Sequence, residues 1–355
     1  MTATSLTRRR ALALVAGASA GALAAPRHGR AQDFLAPAKI VCGSVPYISS
    51  GGFFIPLAKG YYRKLGLDVE VRNFVDGGLA MPSLAAGEID ISTAPCNAGF
   101  FNLVAKGMAV RIFMDRGHEG KGRGSQGILV SNALHAAGFT SLDGYRLAKG
   151  KVLSIAVMGS VAHYLHAKAL ERVGLSFADL ELRTGLNSSS ALQLMASGRV
   201  DIVLDPLPGA YAAEAKGVGR IVTWSDEIAP GMQLSTFAAS EKFLRERRSA
   251  AVRFCMATLQ GYAEFNAAAE TDKPDIIKIL AAETRLPEDL LTKIRPRWST
   301  MAADGAPNRQ AILDQQRFWH ERTDMLVKPA SPEQLFDLGV LEEARNRMAE
   351  KNPFI

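Results

Sequence analysis

Residues 84–91 read Leu84-Ala85-Ala86-Gly87-Glu88-Ile89-Asp90-Ile91, and residues 194–203 read Leu194-Met195-Ala196-Ser197-Gly198-Arg199-Val200-Asp201-Ile202-Val203. Each stretch is a helix end, a glycine stop and a strand headed by an acidic residue. The same unit twice in a chain of 355 residues predicts two similar α/β lobes. Outward from the first copy, residues 39–44 carry the apolar run Ile40-Val41-Cys42 of a buried strand. A polar turn, Tyr47-Ile48-Ser49-Ser50-Gly51-Gly52, leads into a helix expected over 53–65 and stopped by Gly66. Residues 67–73 alternate as a strand does. Asp76-Gly77-Gly78 opens a helix that reaches Ala86. A strand over 88–93, a helix over 95–106 and a strand over 110–114 complete a β-α-β-α-β-α-β series. Turns of a few residues between such elements imply a parallel sheet with helical crossovers.

Residues 117–127 break the rhythm with five glycines among charges, and read as a mobile loop. Beyond it the alternation restarts. Strands are expected over 127–131, 152–157, 180–182, 200–204 and 220–223. Helices are expected over 161–173, 188–197 and 208–216, each closed by a glycine. From residue 240 the pattern is mostly helical: 240–269, 275–283, 287–293, 309–322 and 341–350. The expected division is a discontinuous first lobe, 36–126 with 235–350, and a second lobe, 127–234. Two α/β lobes leave a cleft between them, and open α/β sheets bind ligands outside the carboxyl ends of their strands.

The formal net charge of +7 suggests nucleic acid, but its location argues otherwise. Residues 1–31 hold Arg8, Arg9, Arg10, Arg27 and Arg30 and no acid, so the remainder carries only +2. That leaves no electrostatic footprint for nucleic acid or a membrane surface. Thr7-Arg8-Arg9-Arg10-Ala11-Leu12, the uncharged stretch to Ala25 and the small residues Gly29 and Ala31 read as a secretory signal of the twin-arginine type. Its apolar part falls short of the roughly 20 residues that span a bilayer. The expected product is a periplasmic protein cleaved near Ala31/Gln32, by the twin-arginine or the general route. Three cysteines, Cys42, Cys96 and Cys255, cannot all pair and read as small core residues. A Cys42–Cys96 bridge stays open if their strands are neighbours.

Four segments in order resemble a known family. They are Gly51–Gly60 with Tyr61-Tyr62, residues 84–90, Lys151-Val152-Leu153-Ser154-Ile155-Ala156-Val157-Met158-Gly159-Ser160-Val161-Ala162-His163, and residues 194–206. The chain is similar over 36–350 to the sulfonate/nitrate/taurine-type solute-binding proteins, relatives of proteins that bind or make the pyrimidine precursor of thiamine. The resemblance implies an α/β fold of the two-lobed type II periplasmic binding (Venus-flytrap) kind, each lobe a mostly parallel sheet flanked by helices, with a helical C-terminal region. It implies the substrate-binding component of an ABC importer, not an enzyme. The partners implied are a small, anionic solute (a sulfonate, nitrate-like anion, aromatic carboxylate or pyrimidine) and, for a monomeric receptor, an ABC permease with its ATPase. A periplasmic sensor is the alternative, and a thiamine-pyrimidine enzyme a more distant one. The aromatic first turn and the charged 117–125 loop depart from the family pattern.

Gly159-Ser160-Val161-Ala162-His163 is the sharpest candidate site. It follows a buried strand and opens a helix, where unpartnered N–H groups and the helix dipole favour an anion. A plain helix cap at Ser160 is the competing reading. The same helix start disfavours protonation of His163. Ser44, Tyr47, Ser49, Ser50, Gly77, Gly78, Thr93 and Ala94 lie at carboxyl ends of first-lobe strands. Asp205 ends a second-lobe strand at the position that faces the cleft in the family. Ordinary turn chemistry explains each of them equally well. Tyr47, Phe53 and Tyr164 are available to stack on a ring. His163 and His166 share a helix face, yet no third ligand and no His-Glu-x-x-His run accompany them. Gly120-Lys121-Gly122-Arg123-Gly124-Ser125 lacks Walker spacing, and no Gly-x-Ser-x-Gly elbow occurs. No metal and no cofactor are expected.

Overall fold

The structure is a computed structural model that describes residues 34–74 and 76–355. The reading of residues 1–31 as an export signal lies outside the described residues. From Ala38 to Ile355 the chain forms one compact unit.

Two five-stranded sheets organise it. The first contains β1 (Ala38–Ser44), β2 (Leu67–Asn73), β3 (Ile91–Pro95), β4 (Val110–Asp115) and β10 (Ser235–Ser240) in the order β2-β1-β3-β10-β4. The second contains β5 (Gln126–Val130), β6 (Val152–Ile155), β7 (Glu181–Thr184), β8 (Ile202–Pro206) and β9 (Arg220–Trp224) in the order β7-β6-β8-β5-β9. Strands β1, β2 and β3 pair in parallel, as β6, β7 and β8 do. One strand in each sheet runs the other way: β10 is antiparallel to β3 and β4, and β5 to β8 and β9. Both enter their sheet directly from the other one, β5 through residues 116–125 and β10 through residues 225–234. Each sheet is therefore mixed.

The sequence explains the layering. Four of the five β3 residues and five of the six in β10 are buried, and they are apolar or small. Edge strand β2 carries the alternating charges Asp68, Glu70 and Arg72 and stays largely outside. The helix expected over 53–65 is broken. Helix α1 (Gly51–Ala58) stops, Gly60 takes φ +73°, and a second turn spans Tyr61–Lys64. Only glycine adopts that backbone without penalty. The run expected as one helix over 240–269 is also two, Glu241–Glu246 and Arg248–Glu270, with Arg247 between them.

Helix α2 (Ala98–Ala105) covers the first sheet, and helix α3 (Val161–Arg172) opens after β6. One face of α3, with Tyr164, Leu165 and Ala167, joins the apolar core of the first sheet, whereas Ala169 and Leu170 join that of the second. Helix α4 (Arg309–Glu321), in the helical C-terminal region, completes the contact: Phe318 meets the Tyr164 ring edge-on at 5.0 Å, and Trp319 meets His163 at 5.2 Å. The backbone N–H of Ala98, at the start of α2, donates to the carbonyl of Gly159 at 3.1 Å. The two sheet layers thus share one packed seam.

Two chain segments cross between the sheets, 116–125 and 225–234, and buried polar side chains tie them together. Asp115 accepts from Gly117 N, Gln233 Nε2 and Ala302 N. Gln233 also donates to Gly117 O and accepts from Asn308 N. The glycine-rich loop is anchored through Glu119, which is fully buried and accepts from Ser125 N and Ser125 Oγ, both at 2.9 Å. Cys42, Cys96 and Cys255 are buried and free, so no Cys42–Cys96 bridge forms.

Candidate functional site

Parallel register brings two predicted residues side by side. Gly43 pairs with Ser92 across β1 and β3, so the next residues, Ser44 and Thr93, are neighbours at the carboxyl ends. Both are buried, and neither Ser44 Oγ nor Thr93 Oγ1 has a hydrogen-bond partner among the described residues. Buried hydroxyls are rarely left this way, because the desolvation penalty goes uncompensated. Gly77 packs over Thr93: a Cβ there would lie 2.9 Å from Thr93 Oγ1. The turn that holds Gly77 is fixed by Asp76, whose carboxylate accepts from Gly78 N at 2.7 Å.

Arg116 immediately follows β4 and reaches the turn after β1. It is only 4% exposed, donates to Ser50 Oγ, and leaves its Nε without a partner among the described residues. Ser50 Oγ in turn donates to Val45 O at 2.5 Å. Among the described residues no carboxylate forms an ion pair with Arg116. Burial pulls its pKa down to about 10. A guanidinium taken out of water without a paired acid is costly, Asp115 offsets that cost only in part, and an anion that entered beside it would restore the balance. Arg116 was not among the residues singled out from the sequence. The available signal was the charged pair Asp115-Arg116 directly after the apolar run Ile112-Phe113-Met114.

Tyr47 caps the short 48–50 turn and is 50% exposed. Burial and the neighbouring carboxylates of Asp76 and Asp205 raise its pKa, while Arg116 opposes them. Its ring therefore stands within electrostatic reach of groups from both sheets. Asp205, at the end of β8, is 2% exposed, and burial pushes its pKa up to about 6 against the opposing hydrogen bond from Ser188. Ser49 is half-buried on the same turn as Tyr47. Ala94 is buried in β3, and its carbonyl accepts from the hydroxyls of Ser235 and Thr236.

The start of α3 uses its polar groups locally. Gly159 takes φ +85°, and its N–H donates to His163 Nδ1 at 2.9 Å. Ser160 is the N-cap, accepting from His163 N at 3.4 Å. That leaves the first-turn N–H groups of Val161 and Ala162 to an outside acceptor. His163 is buried, with Phe177 at 4.7 Å on one side and Trp319 on the other, and burial pulls its pKa down to about 4. The neutral imidazole expected from the helix dipole is present, but desolvation is the cause. Phe53 and Tyr164 are core residues, the former within an aromatic cluster with Tyr62, Phe237 and Phe254. Ser160→Ala is expected to lower unfolding stability by about 1 kcal/mol, as loss of a cap does. Denaturant unfolding of the two proteins measures this, and equal midpoints would mean that the 3.4 Å bond contributes nothing.

Two surface concavities lie elsewhere. One, of about 320 Å³, is bordered by Arg183 and Arg199, and another, of about 710 Å³, by Arg111, Arg245 and Arg248. Their arginines are exposed or paired with surface acids, such as Arg183 with Glu181 and Arg248 with Glu343, so they lack the uncompensated burial of Arg116.

The chain matches the model of the NMT1-like family over residues 36–281. No curated protein matches it. Among solved structures it is similar to the periplasmic aliphatic sulphonate binding protein SsuA of Escherichia coli, at 18% identity and a TM-score of 0.67, over 85% of this chain and 92% of that one. The periplasmic nitrate-binding protein NrtA of Synechocystis PCC 6803 aligns at 14% identity and a TM-score of 0.70, over 89% and 91%. The Candida albicans CA3427 gene product, described as having the generic periplasmic binding protein fold, aligns at 12% identity and a TM-score of 0.61, over 87% and 95%. At these identities the likeness concerns the fold, two α/β lobes with a helical C-terminal region.

Proposed function

The chain belongs to the NMT1-like family, and from that premise we propose that it is the periplasmic solute-binding component of an ABC-type importer, specific for a small organic anion. One observation carries the anion: Arg116 is buried with its Nε unpartnered among the described residues, and it reaches Ser50 in the turn after β1, the strand whose last residue, Ser44, also has a buried hydroxyl unpartnered among the described residues. Ligands of open α/β sheets bind at such ends. In this reading the acid group sits on Arg116. The start of α3 is a secondary contact, because Ser160 and Gly159 already use their own groups. The sulphonate- and nitrate-binding roles named for two structural neighbours favour the same class.

The lobes are residues 36–126 with 235–350, and residues 127–234. They close by rotation about the crossing segments near Gly127 and Leu234. The closed form docks on a permease coupled to an ATPase, and the protein performs no chemistry on its solute. Export by the signal in residues 1–31 delivers it to the periplasm.

The test is a thermal-shift screen of the mature chain against small organic acids, sulfonates, inorganic anions, neutral sugars and amines. Organic anions are expected to raise the melting temperature in a concentration-dependent way. Stabilisation by sugars or amines alone would overturn the reading.

A further inference from the structure

Helix α4 touches two partners at once. Gln315, Phe318 and Trp319 recur at helical spacing and are buried along one face. Gln315 Nε2 donates to Cys96 O, just past the end of β3, at 3.3 Å, and to Gln233 O, in the second crossing segment, at 3.1 Å. These bonds fix α4 to the first sheet and to the segments that join the lobes. The rest of the face meets α3, which follows β6 of the second sheet: Trp319 packs on His163 and Phe318 on Tyr164.

The chain after α4 returns to the same place. Gln316 pins it, donating to Ala330 O at 2.9 Å and accepting from Ala330 N at 3.0 Å. His320 Nδ1 donates to Leu326 O at 2.9 Å, and Asn102 of α2 donates to Met325 O. The Met325 sulfur fills the space over Gly159, 3.3 Å from where a Cβ would stand, with the Ala98 methyl at the same distance. Residues 322–330 thus form a short strap that holds the start of α3 against α2.

The opposite edges of the sheets lack such ties. Strands β2 and β7 lie furthest in strand order from the crossing segments, which leave from β4 and β9 and enter β5 and β10. They carry exposed charges, Arg72 on one and Glu181 and Arg183 on the other. Among the described residues no hydrogen bond, ion pair or ring contact joins residues 67–80 to residues 176–190. Separation at α3 would bring Leu165 and Trp319, both fully buried, and Tyr164 and Phe318, both nearly so, into water together. Apolar surface of that extent is strongly favoured to stay covered. Packed interiors hold one arrangement rather than stretching, so such a contact stays shut while a hinge beside it moves. Separation between β2 and β7 breaks none of these contacts.

We propose that α4 and its strap are a fixed pivot: α3 stays docked on the first lobe in the open and the closed state alike, and the cleft opens only at its mouth, the β2 and β7 end. This rests on the reading of two lobes that close on a solute. The start of α3, with Ser160 and the first-turn N–H groups of Val161 and Ala162, then keeps a constant distance from the end of β3. That part of the cleft is assembled before a solute arrives.

Paired nitroxide labels on the unliganded mature protein test this by pulsed dipolar spectroscopy. Glu171→Cys on α3 with Arg317→Cys on α4 reports the seam, and Asn73→Cys with Thr184→Cys reports the mouth. All four positions are exposed, whereas Cys42, Cys96 and Cys255 are buried. One narrow distance is expected across the seam and a broad or split distribution across the mouth. A seam distribution as broad as that of the mouth would overturn the pivot while leaving lobe closure standing. Two narrow distributions would overturn the pivot together with the reading of mobile lobes.

Discussion

Arg116→Met is expected to weaken binding of an acidic ligand by roughly thirty- to several-thousandfold, because removing one partner of a desolvated charge pair costs about 2–5 kcal/mol. The same substitution is expected to leave the unliganded protein as stable as the parent, or more so. The two signs differ because the guanidinium is buried, donates one side-chain hydrogen bond, to Ser50, and forms no ion pair among the described residues, Asp115 offsetting its burial only in part. Its presence is unfavourable until an anion arrives, whereas methionine fills a similar volume without the desolvation penalty. Ser50 keeps its own bond to Val45 O, so its hydroxyl is not stranded. Titration calorimetry with the best ligand of the screen, and denaturant unfolding without ligand, measure the two quantities. A variant that unfolds more easily yet binds as tightly would make Arg116 a structural residue and remove the anion from this position.

Glu119→Gln is expected to gain stability relative to the parent on the order of 3 kcal/mol as pH rises from 4.5 to 7.5, because each tenfold difference in proton affinity between folded and unfolded states is worth about 1.4 kcal/mol. Glu119 is fully buried in the crossing loop, and burial, with help from Asp226, pushes its pKa up to about 7 against the hydrogen bonds from Ser125 and Ser225. Between its unfolded pKa near 4.5 and that value the folded protein holds a proton that the unfolded chain releases. Its contribution is therefore complete below pH 4.5 and is lost as pH rises through 7. Asp205 acts with the same sign between 3.8 and about 6. His163 and His166 act with the opposite sign: burial pulls them down to about 4 and about 3, so their contribution is complete above pH 6.5 and is lost as pH falls. The parent's own profile between pH 4.5 and 6 is thus shallow, and only the difference between variant and parent isolates Glu119. Unfolding both proteins at half-unit pH steps measures it. A difference that stays constant with pH would mean that the serine hydrogen bonds keep Glu119 ionised throughout.

Most of the architecture was legible from residue order alone. A helix end, a glycine and an acid-headed strand recur at 84–91 and 194–203, and a local pattern of that kind determines which elements form and in what sequence. The polar residues at the strand ends, Ser44, Thr93 and Asp205, were legible for the same reason, because an element boundary is a local event. The positions where glycine halts a helix were legible too, except at Gly60, whose left-handed φ breaks a run that looks continuous.

Tertiary structure alone decided the rest. The antiparallel setting of β5 and β10 depends on which sheet a strand enters, and no residue type encodes that. His163 reads as a site residue until Phe177 and Trp319, distant in sequence, close over it. Phe53 likewise leaves the candidate site once Phe237 and Phe254 pack around it. Arg116 shows the limit most clearly. A charged residue after a strand is ordinary in sequence. Its significance is that burial outweighs the one nearby carboxylate, Asp115, and that imbalance is a property of the three-dimensional surroundings, assembled here from the end of β4 and the turn at Ser50.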